Sequence, residues 1–290
     1  MSEHTAYEQA ARVWHLLEIE RPEQALTLLD QLLHDEPRSV ALHELRACAL
    51  LEVGRGVDAA SAARAGLELA PDSIAALDVL ALAERSLGRL GAAEEALLAG
   101  LRLEPENPVL LSHYALVLAE GGVEQKALAT HARAAAIAPN NLEVMRARIL
   151  LDFLLGRDDD ARKRGRELLE EAPEDPVAHS ILGTVASSRG YARSARRHFD
   201  EVARHDFTDR ELAEVALEAR AAAHPLMWPL WPLYRLGVFK FYVLGVGGMF
   251  LLLLVPHSAP FATWLVAYIF IVAYSWIAPP LIRRWVFRRR

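Results

Sequence analysis

Residues Gly54 to Pro105 read GRGVDAASAARAGLELAPDSIAALDVLALAERSLGRLGAAEEALLAGLRLEP, and this stretch decides the fold. Within it Gly54 is followed 34 residues later by Gly88, Ala59 by Ala93, and Pro71 by Pro105. Outward from there, glycines recur at Gly122, Gly156 and Gly190, and alanines at Ala25, Ala127, Ala161 and Ala195. Prolines recur at Pro37, Pro139 and Pro173. Three residue types thus share one period and one phase, which marks a stack of like units.

The order inside each unit has a physical reading. Glycine ends a helix because it accepts left-handed backbone. A second helix starts at once, and the recurring alanine early in it lets the two helices approach closely. Proline then stops the second helix, since it lacks an N–H and clashes with the preceding turn. Stretches such as Ala59–Leu69 and Ala92–Leu103 are rich in good helix formers.

Units three and six show the pattern most fully. Residues 74–107 carry Leu77, Leu80, Ala81, Ala93, Leu97, Gly100 and Pro105, and the sixth unit carries Leu182, Gly183, Ala195, Phe199 and Val202. This resembles the tetratricopeptide repeat (TPR). The resemblance implies an all-α fold, a right-handed α-solenoid of six helix-turn-helix repeats at about 6–39, 40–73, 74–107, 108–141, 142–175 and 176–207. Departures stand at Val13 and Ile149, where the family has a small residue, and at Phe207, where the last proline is due. A cap helix is expected over 208–223, started by the capping box Thr208-Asp209-Arg210-Glu211, so that 1–223 forms the repeat domain.

The family seats peptides or helices in a groove lined by the first helix of each pair. Carried onto this sequence, the groove takes Tyr7, Trp14 and Leu17 from unit one, then Glu44, Cys48 and Leu51 from unit two. Asp78, Leu82 and Arg85 follow from unit three, Ser112 and Leu116 from unit four, and Glu143, Arg146, Leu150 and Phe153 from unit five. Trp14, Arg146 and Phe153 are the expected principal contacts, because aromatic and arginine side chains dominate interface energies.

After Ala223 the composition changes. Residues 224–290 hold seven basic residues and no acidic one, whereas 1–223 hold all 38 acidic residues and the other 25 Lys and Arg. The net charge of −6 therefore divides into −13 and +7. Five of the six tryptophans lie in this tail. Residues 224–232, with three prolines, read as an interfacial linker. Leu233–Val255 and Phe261–Ile282 then read as two membrane-crossing helices in a hairpin over 233–290, each long enough for a hydrocarbon core of about 30 Å. Trp228, Trp231, Trp264, Trp276 and Trp285 are placed as interfacial anchors, with Arg235, Lys240, Arg283 and Arg284. The arginine-rich end assigns both termini and the repeats to the cytoplasmic side of a membrane, expected to be a bacterial inner membrane.

The acidic body argues against nucleic acid as the main partner, since phosphate binding needs clustered Lys and Arg. The start, Met1 to Ala10, has no apolar run and does not read as a signal peptide. The sequence shows no phosphate loop, no nucleophile elbow and no paired-Cys or His-Glu-x-x-His metal motif. It is therefore read as a non-enzyme with no cofactor and no metal. Its expected partners are other proteins and membrane lipid. The first reading is a membrane-anchored scaffold that recruits or assembles cytoplasmic proteins. The alternative is a regulatory or assembly subunit of a transporter, translocase or membrane enzyme whose hairpin is the working part.

Overall fold

The computed structural model describes residues 11–17, 21–205, 217–230, 243, 247 and 258–287. Helix α1 covers 11–17, and α2 runs Pro22–Asp35. Four further pairs follow: α3 Val40–Glu52 with α4 Gly56–Leu69, α5 Ile74–Ser86 with α6 Leu90–Leu103, α7 Pro108–Glu120 with α8 Glu124–Ile137, and α9 Leu142–Leu154 with α10 Asp158–Glu171. Helices α11 Pro176–Ser188 and α12 Ala192–His205 make the sixth pair.

Each recurring residue does what its chemistry suggests. The five turn glycines, Gly54, Gly88, Gly122, Gly156 and Gly190, all have positive φ, between 68° and 78°. At Gly54 the helix end closes with Arg55 N–H on the Leu50 carbonyl at 2.8 Å and Gly54 N–H on the Leu51 carbonyl at 3.0 Å. That double closure satisfies orphan carbonyls and requires left-handed backbone at the glycine. The alanines from Ala25 to Ala195 are buried at the helix crossings. Each recurring proline stands just past the C-cap of a second helix, as Pro71 follows Ala70.

A further 34-residue rhythm starts each first helix. Ser39, Ser73, Asn107 and Asn141 are the N-caps of α3, α5, α7 and α9, and Asp175 precedes α11 in the same register. Asn107 Oδ1 accepts from the N–H groups of Val109 at 3.0 Å and Leu110 at 3.1 Å. Asp175 Oδ1 accepts from Ala178 N–H at 2.8 Å. Short side-chain oxygens at this position satisfy backbone donors that the helix itself cannot.

The chain forms two compact units, Met1–Ala178 and His179–Arg290. In the first, the core runs from repeat to repeat. Ala81, Ala93, Leu97, Leu110, Tyr114, Ala127 and Leu151 form one cluster that links repeats three to five. Gly100 lets α7 close on α6, because a β-carbon there would lie 2.9 Å from Leu110 Cδ1. The first helices pack on one another along the stack, α3 on α5, α5 on α7 and α7 on α9. The second helices pack chiefly on the first helices of their own and the next repeat. The first helices therefore form the inner side of this unit.

Polar residues occupy some apolar slots of the repeat. Glu84 and Asp152 take the place that Leu50 and Leu118 hold in the intervening repeats, and both are buried. Glu84 is bracketed by Arg64 and Arg89, and Asp152 by Arg148 at 3.0 Å and Arg164 at 2.9 Å. His131 takes the slot of Leu97 and places Nε2 2.9 Å from the Val144 carbonyl. Burial lowers its pKa below the ordinary 6.5, aided by Arg148 and Arg164 and opposed by the Val144 hydrogen bond and Asp152. Below pH 6.5 the unfolded chain protonates this ring while the folded protein resists doing so. Stability is thus full above that pH and falls as pH drops toward the folded pKa, by at most about 1.4 kcal/mol per pH unit. Thermal melts should show His131→Leu losing part of the decline in Tm between neutral pH and the acid side. An unchanged slope would assign that decline to other groups.

In the second unit, residues 217–222 are helical and are labelled α13, and α14 runs Ser258–Phe287. Within the linker, Pro225–Leu230 form a 3-10 helix. Met227 and Leu230 are buried with Ala221, Ala278 and Ile282. Tyr274 donates its hydroxyl to the Leu226 carbonyl at 2.6 Å, and Arg283 pairs with Glu218. His224 meets Trp285 edge-on with centroids 5.2 Å apart. The capping box at 208–211 lies outside the described residues.

The expected membrane hairpin finds no support among the described residues. No helix of the described residues is long and apolar enough to cross a membrane. The first stretch, 233–255, lies outside the described residues apart from Val243 and Gly247. The second falls on α14, but its C-terminal half is committed to protein contacts. Pro279 and Pro280 lie inside it, so the carbonyls of Ser275 and Trp276 lose their helical donors.

Candidate functional site

The candidate site is the inner face made by α3, α5, α7 and α9. Residues one repeat apart line up on it in rows. One row is Glu44, Asp78, Ser112 and Arg146; a second is Cys48, Leu82, Leu116 and Leu150; a third is Leu51, Arg85, Ala119 and Phe153. The middle row is an apolar stripe with one residue per repeat, flanked by polar and mixed rows.

The charges on this face are tied to the next repeat. Ser73 Oγ donates to Glu44 at 2.5 Å, and Asp78 Oδ1 lies 2.6 Å from His113 Nδ1. Arg85 pairs with Glu120 at 3.2 Å. Arg146 donates to Asp175 at 2.6 Å and also pairs with Glu143. Burial opposes the Arg146 charge, and Asp175 and Glu143 more than offset it, so its pKa stands above the ordinary value. Paired in this way, the charges tie successive first helices together and leave Cys48, Leu82 and Leu150 of the stripe as the open feature.

Cys48 reports the field at one end of the stripe. Its thiol is pushed up to about 11, first by burial and then by Glu52, Asp78 and Glu44. A thiol that stays protonated at neutral pH is a poor nucleophile. The same three carboxylates make this end of the face acidic.

The expected groove residues divide by burial. Glu44, Leu51, Asp78, Leu82, Arg85, Glu143, Arg146, Leu150 and Phe153 are half-buried on the face, reachable from outside. Trp14 on α1 is 55% exposed. Leu17, Ser112 and Leu116 are buried and closed to a partner: Leu17 packs with Val13, Leu29 and Leu42, and Leu116 with the central core. Tyr7 lies outside the described residues. Reading the sequence missed Ser73, His113, Glu120 and Asp175, which bind the face together. Their signal was available: each stands 29 or 35 residues after its partner, within five residues of one full repeat.

Of the expected membrane anchors, Trp276 is 76% exposed, and Arg284 and Trp285 are exposed as well. Arg283 is exposed but held by Glu218. Trp231, Arg235 and Lys240, and the side chains of Trp228 and Trp264, lie outside the described residues. Among the described residues no group of three or more His, Cys, Asp or Glu is placed to hold a metal ion.

No family model matches the chain, and no curated protein matches it. Solved structures do. A thermophilic TPR protein of Thermus thermophilus is 25% identical, with a TM-score of 0.54 over 62% of this chain and 97% of that one. PilW, a widely conserved type IV pilus biogenesis factor, is 16% identical, with a TM-score of 0.51 over 74% of this chain and 99% of that one. The human IFIT1 dimer, solved with m7Gppp-AAAA, is 18% identical, with a TM-score of 0.55 over 73% of this chain and 54% of that one. With the repeat geometry above, these likenesses establish a TPR-like fold, an all-α solenoid of helical repeats.

Proposed function

We propose that the chain is an interaction scaffold. Its inner face seats an amphipathic helix or extended segment of a protein partner, and its apolar, basic C-terminal segment holds it at a membrane. The observation that carries the reading is the stripe of Cys48, Leu82 and Leu150 beside Phe153, apolar and half-buried on a face whose charges are already paired. The matching partner offers apolar residues at helical spacing and basic residues toward the end where Glu44, Glu52 and Asp78 surround Cys48. The likeness to TPR proteins supports protein partners over small molecules. The arginines at the end of 224–290, Arg283, Arg284 and Arg288 to Arg290, favour placing the repeats on the cytoplasmic side.

A photo-crosslinking residue tests this in the full chain in its native membrane. Placed at Leu82 or Leu150 it should yield one partner adduct, and at the exposed Ala129 of α8 none. Leu82→Ser with Leu150→Ser should lower capture by about tenfold or more, since apolar anchors contribute about 1–2 kcal/mol each. Equal adducts from Ala129 would sink the reading.

A further inference from the structure

We infer that α14 lies in the plane of a membrane surface, seated on the leaflet that faces the rest of its own unit, and does not cross the bilayer. The inference rests on the anchoring reading above and adds its geometry.

Helix α14 has two long apolar faces. One carries Tyr274, Ala278, Ile282 and Val286, spaced by four, and it packs on Ala221, Met227 and Leu230. The other carries Val266, Ile269, Phe270, Trp276, Ile277 and Leu281, and all six are exposed, with Trp276 at 76%, Phe270 at 69% and Val266 at 67%. At about 100° per residue the two sets lie on roughly opposite sides of the helix. Uncovered large apolar side chains in a row about 22 Å long require a cover. A shallow hollow of about 280 Å³ between Tyr268, Ile269, Val272, Ala273 and Trp276 opens on the same side.

The charges identify that cover. No acidic residue stands anywhere in 224–290, and the exposed strip runs into Arg283 and Arg284. A second soluble protein surface would be expected to meet some matching acid. A leaflet with anionic headgroups meets an apolar strip with an arginine end directly.

The contacts also favour in-plane seating over a crossing helix. Glu218 and Arg283 pair beside α14, and His224 meets its Trp285. A charged pair and a histidine at that level belong in water or headgroups, not hydrocarbon. The stretch of α14 ahead of its first protein-packed residue, Tyr274, is 258–273, about 24 Å of helix, short of a core of about 30 Å. The carbonyls uncovered by Pro279 and Pro280 add a polar break that a spanning helix would have to bury.

The test uses the full chain with Cys48→Ser, reconstituted in vesicles of phosphatidylcholine and phosphatidylglycerol. Single cysteines replace Val266, Phe270, Ile277 or Leu281 and carry an environment-sensitive fluorophore. Lipids brominated at set depths then quench it. In-plane seating predicts that all four labels sit at one shallow depth, about 5–10 Å in, with quenching alike within about twofold. Depth that grades steadily from Leu281 to Val266 would overturn the inference and leave the anchoring reading intact. Failure of the protein to float with vesicles would overturn the anchoring reading itself. Labels shielded from every brominated lipid, with crosslinks between copies, would replace the leaflet by a second copy of the helix.

Discussion

Replacing Leu97 by alanine is expected to cost about 2–5 kcal/mol, the range for emptying a fully buried leucine site. Leu97 has no exposed surface and belongs to the cluster that joins repeats three, four and five. Around it stand Ala93 of repeat three and Leu110, Tyr114 and Ala127 of repeat four, so a cavity there is shared by two repeats and cannot close by moving one. Leu98 gives the control, because it is the same residue type in the same helix and 37% exposed. Leu98→Ala should cost under about 1 kcal/mol. Urea unfolding of the full chain in mild detergent, followed by far-UV circular dichroism, reads both. Equal shifts for the two variants would mean that α6 does not present this face to the core. Repeat stacks depend on nearest-neighbour packing, so the Leu97 variant should loosen repeats three and four first.

Replacing Asp175 by alanine is expected to cost about 2–4 kcal/mol, from two roles held by one buried carboxylate. Its Oδ1 caps the start of α11 through Ala178 N–H, and its Oδ2 takes Arg146 at 2.6 Å. Without it the first turn of α11 loses an acceptor. Arg146, 29% exposed, keeps only Glu143 among its present partners. Asp175→Asn keeps an acceptor for the cap and loses the charge, so it should recover about half of the loss. Hydrogen exchange should rise at the start of α11 in Asp175→Ala and much less in Asp175→Asn. If both variants stay within about 0.5 kcal/mol of the parent, the carboxylate is not the tie between α9 and the first turn of α11 that the geometry makes it.

Much of the repeat architecture is legible in residue order because it rests on local rules. A positive φ at Gly54 and its four counterparts, a buried methyl at Ala59 and a stop at Pro71 each act within a few residues. They therefore leave a mark at a fixed spacing. The N-cap rhythm of Ser39, Ser73, Asn107, Asn141 and Asp175 was equally local and went unread, because three residue types share the role.

The candidate site was legible only in outline. The family pattern locates the rows of the first helices, but it does not separate Leu82, open on the face, from Leu116, buried 34 residues later. That difference arises from how closely α7 is packed by α9 and by the second helices, and no single unit contains the information. The pairing of Asp78 with His113 and of Arg85 with Glu120 likewise depends on the offset between neighbouring repeats.

The tail marks the limit most clearly. Composition alone establishes that 224–290 is apolar, basic and rich in tryptophan, since those are counts. Hydropathy then suggests two crossing helices, because an apolar residue facing protein and one facing lipid look the same in a sequence. Only the tertiary structure distinguishes them: Ile282 and Ala278 are covered by Leu230 and Met227, while Phe270 and Trp276 are left bare. Sequence by itself determined the period, the helix ends and the small residues at helix crossings, because each is enforced within a turn or two of chain. Tertiary structure alone decided which apolar surface is interior and which is open, because burial is settled by partners far away in the chain.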